Sequence, residues 1–418
     1  MHETCIIIGA SHAAAQLAPS LRQEGWLGPI VVIGDETCLP YHRPPLSKAY
    51  LSGEKSAHDL LIRGADVYTR FGIEFRLGER VESINRTRKT ITLRSGEELA
   101  YGKLAICTGT RVQTVSLPGS ALAGVHYLRD IEDINRIKLG VRPEGRAVIV
   151  GGGYIGLETA AVLNKLGMRV TVLEMAPRVL ARVTAQQVSE FFQRVHGEEG
   201  VDIRTSMAVS GFEGEARVER VVCADGSHFP ADLVIIGVGV TPNVELATAA
   251  ELATGNGILV DAFARTSDPD IVAAGDCTMH PSPFYGYIRL ESVPNATEQA
   301  KSAAATLCGK EKPYTALPWF WSDQYDIKLQ IAGLNEGYDQ VVVRGNRSVG
   351  RSFSAFYLKM GKLVAADCVN RPQEFMVSKN LISEGIELTP EQLADESIAL
   401  KVLLDGARSD MSTCDVPN

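Results

Sequence analysis

Two short runs of apolar residues, each ending at a glycine, recur about 140 residues apart in the chain. The first covers residues 4–8 and leads into Gly9, and the second covers 147–150 and leads into Gly151. A helix-compatible stretch and another apolar run follow each glycine. Continuous short apolar runs predict buried strands. A strand–glycine–helix–strand order predicts a unit that binds a pyrophosphate on the backbone N–H groups of a helix N-terminus. The pattern therefore predicts two dinucleotide-binding units in one chain.

The second glycine motif is complete, with Gly151, Gly153 and Gly156 in the G-x-G-x-x-G spacing around Tyr154 and Ile155. The first glycine makes the turn, the second admits the pyrophosphate, and the third lets the helix pack closely on the strand. With its strand and helix in place, this motif predicts a nucleotide site.

An acidic residue follows the next strand of this unit at the expected distance. The strand over 170–173 ends at Glu174, 18 residues beyond Gly156. A carboxylate there accepts hydrogen bonds from the adenosine ribose and repels a 2′-phosphate, which favours NADH over NADPH. Arg178 and Arg182 lie nearby and are cations that could favour NADPH instead, so they leave the preference partly open.

The first glycine motif departs from the pattern. Ser11 stands at the second glycine position and Ala14 at the third, and Pro19 lies inside the expected helix, where a kink is expected. The serine side chain narrows the approach to a phosphate, although its hydroxyl could donate a hydrogen bond to it. The acidic pair Asp35 and Glu36 still follows at 21 and 22 residues past Ala14.

The remainder of the chain completes the fold-class prediction. After Pro313 the pattern becomes aromatic-rich and alternating, which predicts an antiparallel sheet closed by helical stretches near 373–385 and 390–405. We therefore expect an α/β protein with two Rossmann-like dinucleotide-binding domains and a C-terminal α+β domain. The predicted boundaries are 1–118 and 243–315 for the two parts of the first nucleotide domain, 119–242 for the second, and 316–418 for the C-terminal domain.

Composition excludes several function classes. A net charge of −8 argues against a general nucleic-acid binder, which needs a basic face. No run approaches the roughly 18 apolar residues of a membrane span, so we expect a soluble, cytoplasmic protein with no membrane partner. The eight cysteines include no C-x-x-C or C-x-x-x-x-C pair, which excludes a local redox dithiol, and the dispersed histidines suggest no metal site.

Several segments resemble one family. Residues 41–48 (YHRPPLSK), 105–110 (AICTGT) and the Gly275-Asp276 pair are similar to flavin-contacting segments of the two-dinucleotide flavoprotein reductases. Residues 290–296 (LESVPNA) and 319–324 (WFWSDQ) resemble a narrower branch, the FAD-dependent NADH:ferredoxin reductases of bacterial oxygenase systems, of the putidaredoxin reductase type. The resemblance covers essentially the whole chain and implies the glutathione-reductase-like double fold. Ser11 and Pro19 are its visible departures.

The resemblance implies FAD in the first nucleotide domain and NADH in the second, and it assigns residues to each. Expected FAD-binding residues are Gly9, Ser11, His12, Ala13, Asp35, Glu36, Arg43, Lys48, Val81, Thr108, Gly109, Arg129, Asp276, Val293 and Trp321. Expected NAD-binding residues are Gly151, Gly153, Tyr154, Ile155, Gly156, Glu174, Arg182, Gly239 and Glu291. No residue is expected to bind a metal.

The resemblance also implies that Lys48 and Glu158 form a catalytic pair beside the flavin N5. Simpler interpretations stay open for several of these residues. Lys48 could be a solvated surface charge, and Glu158 could be a partner of the helix dipole. Glu291 could be a carboxylate at the edge of the core rather than a nicotinamide contact, and Trp321 could pack in the sheet with Trp319.

The implied reaction is hydride transfer from NADH to FAD, followed by single-electron transfer to a small, acidic [2Fe–2S] ferredoxin that binds transiently. The missing dithiol supports this route, because no second two-electron store is present. The aromatic segment 319–325 slightly favours a cytochrome P450 monooxygenase system over a ring-hydroxylating dioxygenase as the system that the protein serves. We expect a monomer or weak dimer.

Two rival hypotheses remain. An NADH oxidase or peroxidase of the same double fold would need a redox cysteine facing the flavin, and Cys38 lies too early in the chain for that role. A flavin-bearing redox signalling protein resembling apoptosis-inducing factor would predict slow electron delivery to a ferredoxin. The compact C-terminal segment, with no long insertion, disfavours this second rival.

Overall fold

The computed structural model describes residues 3–414, which fold into the helices and strands below. The strands, in chain order, are β1 (Cys5–Ile8), β2 (Ile30–Gly34), β3 (Ile73–Leu77), β4 (Val81–Asn85), β5 (Thr90–Leu93), β6 (Glu98–Ala100), β7 (Lys103–Ile106), β8 (Thr110–Val112), β9 (Val125–Tyr127), β10 (Arg146–Val150), β11 (Arg169–Leu173), β12 (Asp202–Arg204), β13 (Val209–Glu213), β14 (Arg220–Cys223), β15 (His228–Pro230), β16 (Leu233–Ile236), β17 (Val240–Pro242), β18 (Thr254–Gly255), β19 (Gly257–Leu259), β20 (Ile271–Ala273), β21 (Thr278–Ser282), β22 (Gly286–Ile288), β23 (Trp319–Gln324), β24 (Ile327–Gly333), β25 (Gln340–Gly345), β26 (Phe353–Lys359) and β27 (Lys362–Val369). The helices are α1 (His12–Glu24), α2 (Ala65–Arg70), α3 (Ile131–Lys138), α4 (Tyr154–Lys165), α5 (Gln186–Glu198), α6 (Glu245–Ala249), α7 (Val293–Leu307), α8 (Pro372–Glu384), α9 (Pro390–Ala394) and α10 (Leu400–Cys414).

The chain forms two compact units. The first comprises residues 3–43, 55–111 and 240–318, and the second comprises 44–54, 112–239 and 319–414. Each unit therefore contains one of the two glycine motifs. The predicted domain boundaries, which divide the chain differently, stay a prediction.

The first unit is built on a parallel sheet in the order β20-β7-β1-β2-β3. The antiparallel β4-β5-β6 meander interrupts the sequence between β3 and β7. The central strand β1 is buried along its whole length, because α1 and α7 cover the sheet on one side. Buried apolar residues of β4, of β5 and of residues 247–260 pack against the strand side chains on the other face of the sheet.

The second unit repeats this plan. Its parallel sheet has the order β12-β11-β10-β16-β9, and the antiparallel β13-β14-β15 meander again precedes the strand that returns beside the first. In both units the glycine turn follows the central strand, so the carboxyl ends of the parallel strands form the edge where a dinucleotide binds. The prediction of two Rossmann-like folds is confirmed.

The C-terminal segment of the second unit is an antiparallel sheet in the order β23-β24-β27-β26-β25, as the alternating pattern predicts. The helix predicted near 373–385 is α8. The stretch predicted near 390–405 is interrupted, because α9 ends at Ala394 and α10 begins at Leu400. The buried Arg344 side chain explains the break, since its guanidinium donates to the carbonyl oxygens of Leu393, Asp395 and Ile398.

Helix α1 is a single helical element from His12 to Glu24 despite Pro19. Proline removes the N–H that would bond the carbonyl oxygen four residues earlier, at Ala15. The Arg63 guanidinium donates to that oxygen at 2.6 Å instead. A side chain distant in sequence thus replaces the lost backbone bond.

In the described residues, none of the helices has the length and apolar character needed to cross a membrane.

Candidate dinucleotide and flavin sites

Each of the three glycines of the second motif suits its position for a different structural reason. Gly151 has φ +109°, and a Cβ there would lie 2.4 Å from the carbonyl oxygen of Gly237. A Cβ on Gly156 would lie 2.2 Å from the carbonyl oxygen of Gly151, so this glycine permits the close packing of α4 on β10. A Cβ on Gly153 would meet no atom within 4 Å. The space beside Gly153 at the start of α4 is therefore open, as a bound pyrophosphate requires.

Glu174 lies directly after β11 and is held in place by the backbone. Its Oε2 accepts the Gly152 N–H at 2.6 Å, and its Oε1 accepts the Ala176 N–H at 2.7 Å. The carboxylate thus bridges the glycine turn and the segment after the strand. Each carboxylate oxygen can accept more than one hydrogen bond, so both retain acceptor capacity for ribose hydroxyls.

The two arginines near this site differ. Arg178 donates to the carbonyl oxygens of Thr184 and Ala181 and to Ser189 Oγ, so its guanidinium closes the loop after β11. These hydrogen bonds hold the Arg178 guanidinium against the protein, and the expectation that Arg178 could favour NADPH stays a prediction. Arg182 is exposed, and its Nη2 lies 3.9 Å from the position of a Cβ on Gly239. The structure thus brings together Arg182 and Gly239, two of the residues expected to bind NAD.

In the first motif, the serine side chain forms a hydrogen bond within the protein. Gly9 has φ +106°, and a Cβ there would lie 2.1 Å from the carbonyl oxygen of Cys107. Ser11 has extended backbone angles at the N-terminus of α1, and its Oγ accepts a hydrogen bond from Arg43 Nε at 3.1 Å. A hydroxyl that accepts keeps its hydrogen to donate. Ser11 is therefore compatible with a phosphate at this helix N-terminus.

The acidic pair after β2 divides into two roles. Glu36 forms an ion pair with Arg43 and accepts the Tyr41 hydroxyl at 2.5 Å. Asp35 is exposed, 3.6 Å from Arg80 Nη1, at the carboxyl edge of the sheet. Asp35 is thus accessible for a ribose, whereas Glu36 fixes the arginine that holds Ser11.

The acidic residue is placed one position later than in the second unit. Ile8 pairs with Ile33 and Val150 pairs with Leu173, so Gly34 occupies the position that Glu174 occupies in the second unit. A Cβ on Gly34 would lie 2.5 Å from the Ala10 methyl group. The alanine in the first turn therefore requires a glycine after the strand, and the carboxylate moves to Asp35.

Other expected FAD-binding residues of the first unit meet at the same edge. Thr108 Oγ1 donates to the carbonyl oxygen of Asn243, which also donates its backbone N–H to the carbonyl oxygen of Gly109. Asp276 follows Gly275, whose Cβ position lies 3.3 Å from the Ala13 methyl group. His12, Ala13 and Val293 lie in the first turns of α1 and α7, and Val81 is the buried first residue of β4.

The predicted lysine–glutamate pair is formed within the second unit. Lys48 Nζ lies 2.6 Å from Glu158 Oε2, and their side chains are 18% and 4% exposed. Lys48 lies in a short π-helical segment, Leu46–Tyr50, with non-helical backbone angles, and Glu158 lies in α4. The interpretation of Lys48 as a solvated surface charge is wrong, because its side chain is mostly buried and is paired with Glu158.

Two serines that the sequence did not single out complete the surroundings of Glu158. Ser47 Oγ donates to Oε2 at 2.7 Å, and Ser322 Oγ donates to Oε1 at 2.6 Å. Both serines stand within the family-like segments, but they are 111 and 164 residues from Glu158 in sequence. No local signal links residues at such separations.

Three further residues, Arg129, Trp321 and Glu291, are also predicted to bind a cofactor. Arg129 belongs to the second unit, and its backbone N–H donates to Asp133 Oδ2 at the start of α3. Trp321 lies in β23 of that unit with its ring 5.6 Å from that of Trp319. Glu291 is an exposed residue of the first unit, 2.7 Å from Arg289 Nη2. Their cofactor roles stay predictions.

A buried carboxyl group, that of Asp367, lies near the second glycine motif. Asp367 in β27 is 1% exposed and accepts the Tyr357 hydroxyl, which itself accepts the Ala185 N–H at 2.9 Å. Burial raises the pKa of Asp367 to about 7, and the Tyr357 hydrogen bond opposes that rise. Burial raises the pKa of Tyr154, the first residue of α4, and the Asp367 charge adds to that rise.

Comparisons with known proteins agree with this architecture. Residues 3–300 match the family described as pyridine nucleotide-disulphide oxidoreductase, and residues 319–404 match the reductase C-terminal family. Putidaredoxin reductase of Pseudomonas putida is 45% identical over 99% of both chains. The ferredoxin–NAD⁺ reductase component of the anthranilate 1,2-dioxygenase system of Burkholderia cepacia is 40% identical over 96% of this chain and 98% of its own.

Solved structures show the same similarity. The covalent putidaredoxin reductase–putidaredoxin complex matches with a TM-score of 0.95 and 45% identity, over 97% of this chain and 99% of that one. The ferredoxin reductase for the CYP199A2 system from Rhodopseudomonas palustris matches with a TM-score of 0.93 and 43% identity, over 96% and 99%.

The chain belongs to the pyridine nucleotide-disulphide oxidoreductase family. The resemblance to ferredoxin reductases of oxygenase systems is confirmed, as are the double fold and the assignment to the reductase enzymes. FAD and NAD(H) are the cofactors of this assignment. The open space beside Gly153 and the Gly9–Ser11 turn fit such dinucleotides.

Alanine substitutions should separate the roles of two glycines. Gly153→Ala should fold with an unchanged thermal midpoint, because its Cβ meets open space, and should raise the KM for NADH at least about tenfold by crowding the pyrophosphate. Gly156→Ala should lower the thermal midpoint, because its Cβ overlaps the Gly151 carbonyl oxygen. Thermal unfolding and steady-state kinetics of the two variants make the comparison. An unchanged KM in Gly153→Ala would place the pyrophosphate elsewhere.

The buried Asp367 should make stability fall as pH rises. Its folded pKa of about 7 lies above the ordinary 3.8, so the folded state binds more protons between these values. Stability contributed by this proton is present at acidic pH and lost as pH rises towards 7, on the order of 3 kcal/mol. Asp367→Asn should remove this loss, seen as a growing stability gain over wild type between pH 4 and 7 in urea unfolding. Parallel curves for the two proteins would contradict the expectation.

Proposed function

We propose that this protein is an NADH-dependent ferredoxin reductase that holds FAD in its first unit and binds NADH in its second. The observation that carries the proposal is one dinucleotide-binding turn at the edge of each parallel sheet, in a chain without a local dithiol. The cysteines whose side chains the structure describes are free thiols. Electrons therefore leave singly to a protein partner rather than through a disulfide.

The bound FAD supplies hydride acceptance from NADH and release of electrons one at a time. The protein contributes position and charge. Gly153 leaves room for the NADH pyrophosphate, and Glu174 orients its ribose. Lys48 would present a cation to bound FAD and favour negative charge on it, and Glu158 pairs with this lysine and would hold it in one position.

The expected FAD and NAD residues keep their proposed assignments. For FAD, Arg43 would fix the serine of the phosphate turn, Asp35 would bind the ribose, and Asp276 would meet the ribityl–phosphate region. For NAD, Arg182 and Gly239 would border the dinucleotide, and Glu291 would meet the nicotinamide amide. Arg129, Val81, Val293 and Trp321 are proposed flavin neighbours on the family resemblance alone.

We propose a [2Fe–2S] ferredoxin of a cytochrome P450 monooxygenase system as the electron acceptor. The reductase named for the CYP199A2 system and the aromatic segment 319–325 support this choice. A ring-hydroxylating dioxygenase system is the second candidate, since a relative at 40% identity serves the anthranilate dioxygenase. An acidic, transient partner, a cytoplasmic location and a monomeric or weakly dimeric state accompany the proposal as predictions.

Ferredoxin dependence tests the proposed function. NADH-driven reduction of cytochrome c should rise at least about tenfold when a [2Fe–2S] ferredoxin is added, and should fall with added salt because acidic partners associate electrostatically. Ferredoxins from P450 and dioxygenase systems, compared at equal concentration, distinguish the two candidates. Reduction that does not respond to either ferredoxin would reject the reductase proposal and favour a redox signalling role.

Replacement of Lys48 tests its proposed catalytic role. Lys48→Met should lower the rate constant of flavin reduction by NADH about tenfold or more in stopped-flow absorbance, because the cation that stabilises the reduced flavin is lost. Lys165→Met is the matched control, since Lys165 forms an exposed ion pair with Glu54 in the same unit. An unchanged rate constant in Lys48→Met would reject the role of this lysine.

A further inference from the structure

A chain of hydrogen bonds leads away from Glu158 through side chains that the proposed reaction does not use. Ser322 Oγ lies 2.6 Å from Glu158 Oε1, and Gln324 Nε2 lies 3.2 Å from Ser322 Oγ. His196 Nε2 lies 2.8 Å from Gln324 Oε1, and the Tyr325 hydroxyl lies 3.1 Å from His196 Nδ1. The chain connects α4, β23, α5 and the turn after β23, all within the second unit.

The members of the chain are deeply buried, apart from its outer end. Ser322 and Gln324 are each 1% exposed and His196 is fully buried, whereas Tyr325 is partly exposed in a turn with φ +56°. The large majority of buried polar groups in proteins are hydrogen-bonded. The five residues therefore satisfy one another in sequence from Glu158 towards the surface.

The chemistry of the groups determines the direction of every hydrogen bond. Glu158 is an acceptor in its ion pair with Lys48, so the Ser322 hydroxyl donates to it. Gln324 donates its amide hydrogen to Ser322, which leaves its oxygen to accept. His196 must then carry its hydrogen on Nε2 and accept the Tyr325 hydroxyl on Nδ1.

The neutral state of His196 is consistent with this direction. Burial lowers the pKa of His196, and the hydrogen bond with Gln324 only partly opposes that effect. A neutral imidazole has one donor and one acceptor nitrogen, which is what the chain requires. All four hydrogen bonds therefore run towards the Glu158 carboxylate, and aligned hydrogen bonds strengthen one another.

We propose that Ser322, Gln324, His196 and Tyr325 are positioning residues that act through Glu158 to hold Lys48 in its working place. Ser322 is the critical member, because it binds Oε1 while Lys48 and Ser47 bind Oε2. Without its donor, Oε1 competes for Lys48 and draws the ammonium away from its position. The inference rests on the proposed function of the Lys48–Glu158 pair.

The tautomer of His196 is the first test and does not depend on activity. Long-range ¹H–¹⁵N spectra of ¹⁵N-labelled holoenzyme should show a neutral imidazole protonated on Nε2 at neutral pH. The His196→Asn variant assigns the signal by its disappearance. A His196 protonated on Nδ1, or on both nitrogens, would overturn the proposed direction of the chain.

Stopped-flow reduction by NADH is the second test. Ser322→Ala should lower the rate constant of flavin reduction about tenfold, the effect expected for losing a hydrogen bond to a charged group, with the apparent NADH affinity unchanged. Ser322→Thr keeps the hydroxyl and should recover the rate constant to within about twofold. Tyr325→Phe, which removes only the outermost donor, should have a smaller effect than Ser322→Ala.

A double variant separates positioning from a general structural effect. In the Lys48→Met background, Ser322→Ala should cause no further loss, because the residue acts through Lys48. Additive losses, or a normal rate constant in Ser322→Ala while Lys48→Met is slow, would overturn the inference and leave the proposed function intact. A normal rate constant in Lys48→Met would instead reject the proposed catalytic role of Lys48, on which the inference rests.

Discussion

The packing around α4 in the second unit depends on hydrogen bonds and an ion pair to one buried carboxylate. Glu158 lies in α4 with a 4% exposed side chain, and a charge so far from water is costly unless donors surround it. Lys48, Ser47 and Ser322 supply those donors from a π-helical segment and from the C-terminal sheet. The requirement to pair this carboxylate therefore joins three stretches of chain that are far apart in sequence, and it fixes the position of the Lys48 ammonium.

The two nucleotide turns obey one steric rule with different residues. In each turn, the first glycine has a positive φ and lies so close to a neighbouring carbonyl oxygen that a Cβ atom would not fit. The second unit leaves Gly153 bare and open to a ligand. The first unit places Ser11 there and fixes its side chain with Arg43, which Glu36 in turn holds. A turn braced by protein side chains suits a cofactor that stays bound, and a bare turn suits one that exchanges.

Relatives of this chain serve more than one kind of oxygenase, although their folds agree closely. The nucleotide turns and the Glu158 surroundings are assigned by the proposed function to cofactor binding and flavin reduction, which do not involve the final electron acceptor. This independence from the acceptor is consistent with one reductase scaffold serving several electron-transfer chains.

Both Rossmann-like units, the complete second glycine motif and the C-terminal antiparallel sheet could be predicted from the sequence, because these features depend on local spacing and on apolar periodicity. Other features could be recognised only in the folded protein: the partners of Glu158, the contacts of Arg178 with its loop, the Arg63 contact that compensates for Pro19, and the burial of Asp367. The same is true of the break between α9 and α10, which the buried Arg344 stabilises. Each of these rests on a hydrogen bond or on burial that arises only when the chain has folded, and such interactions leave no periodic signal in the sequence.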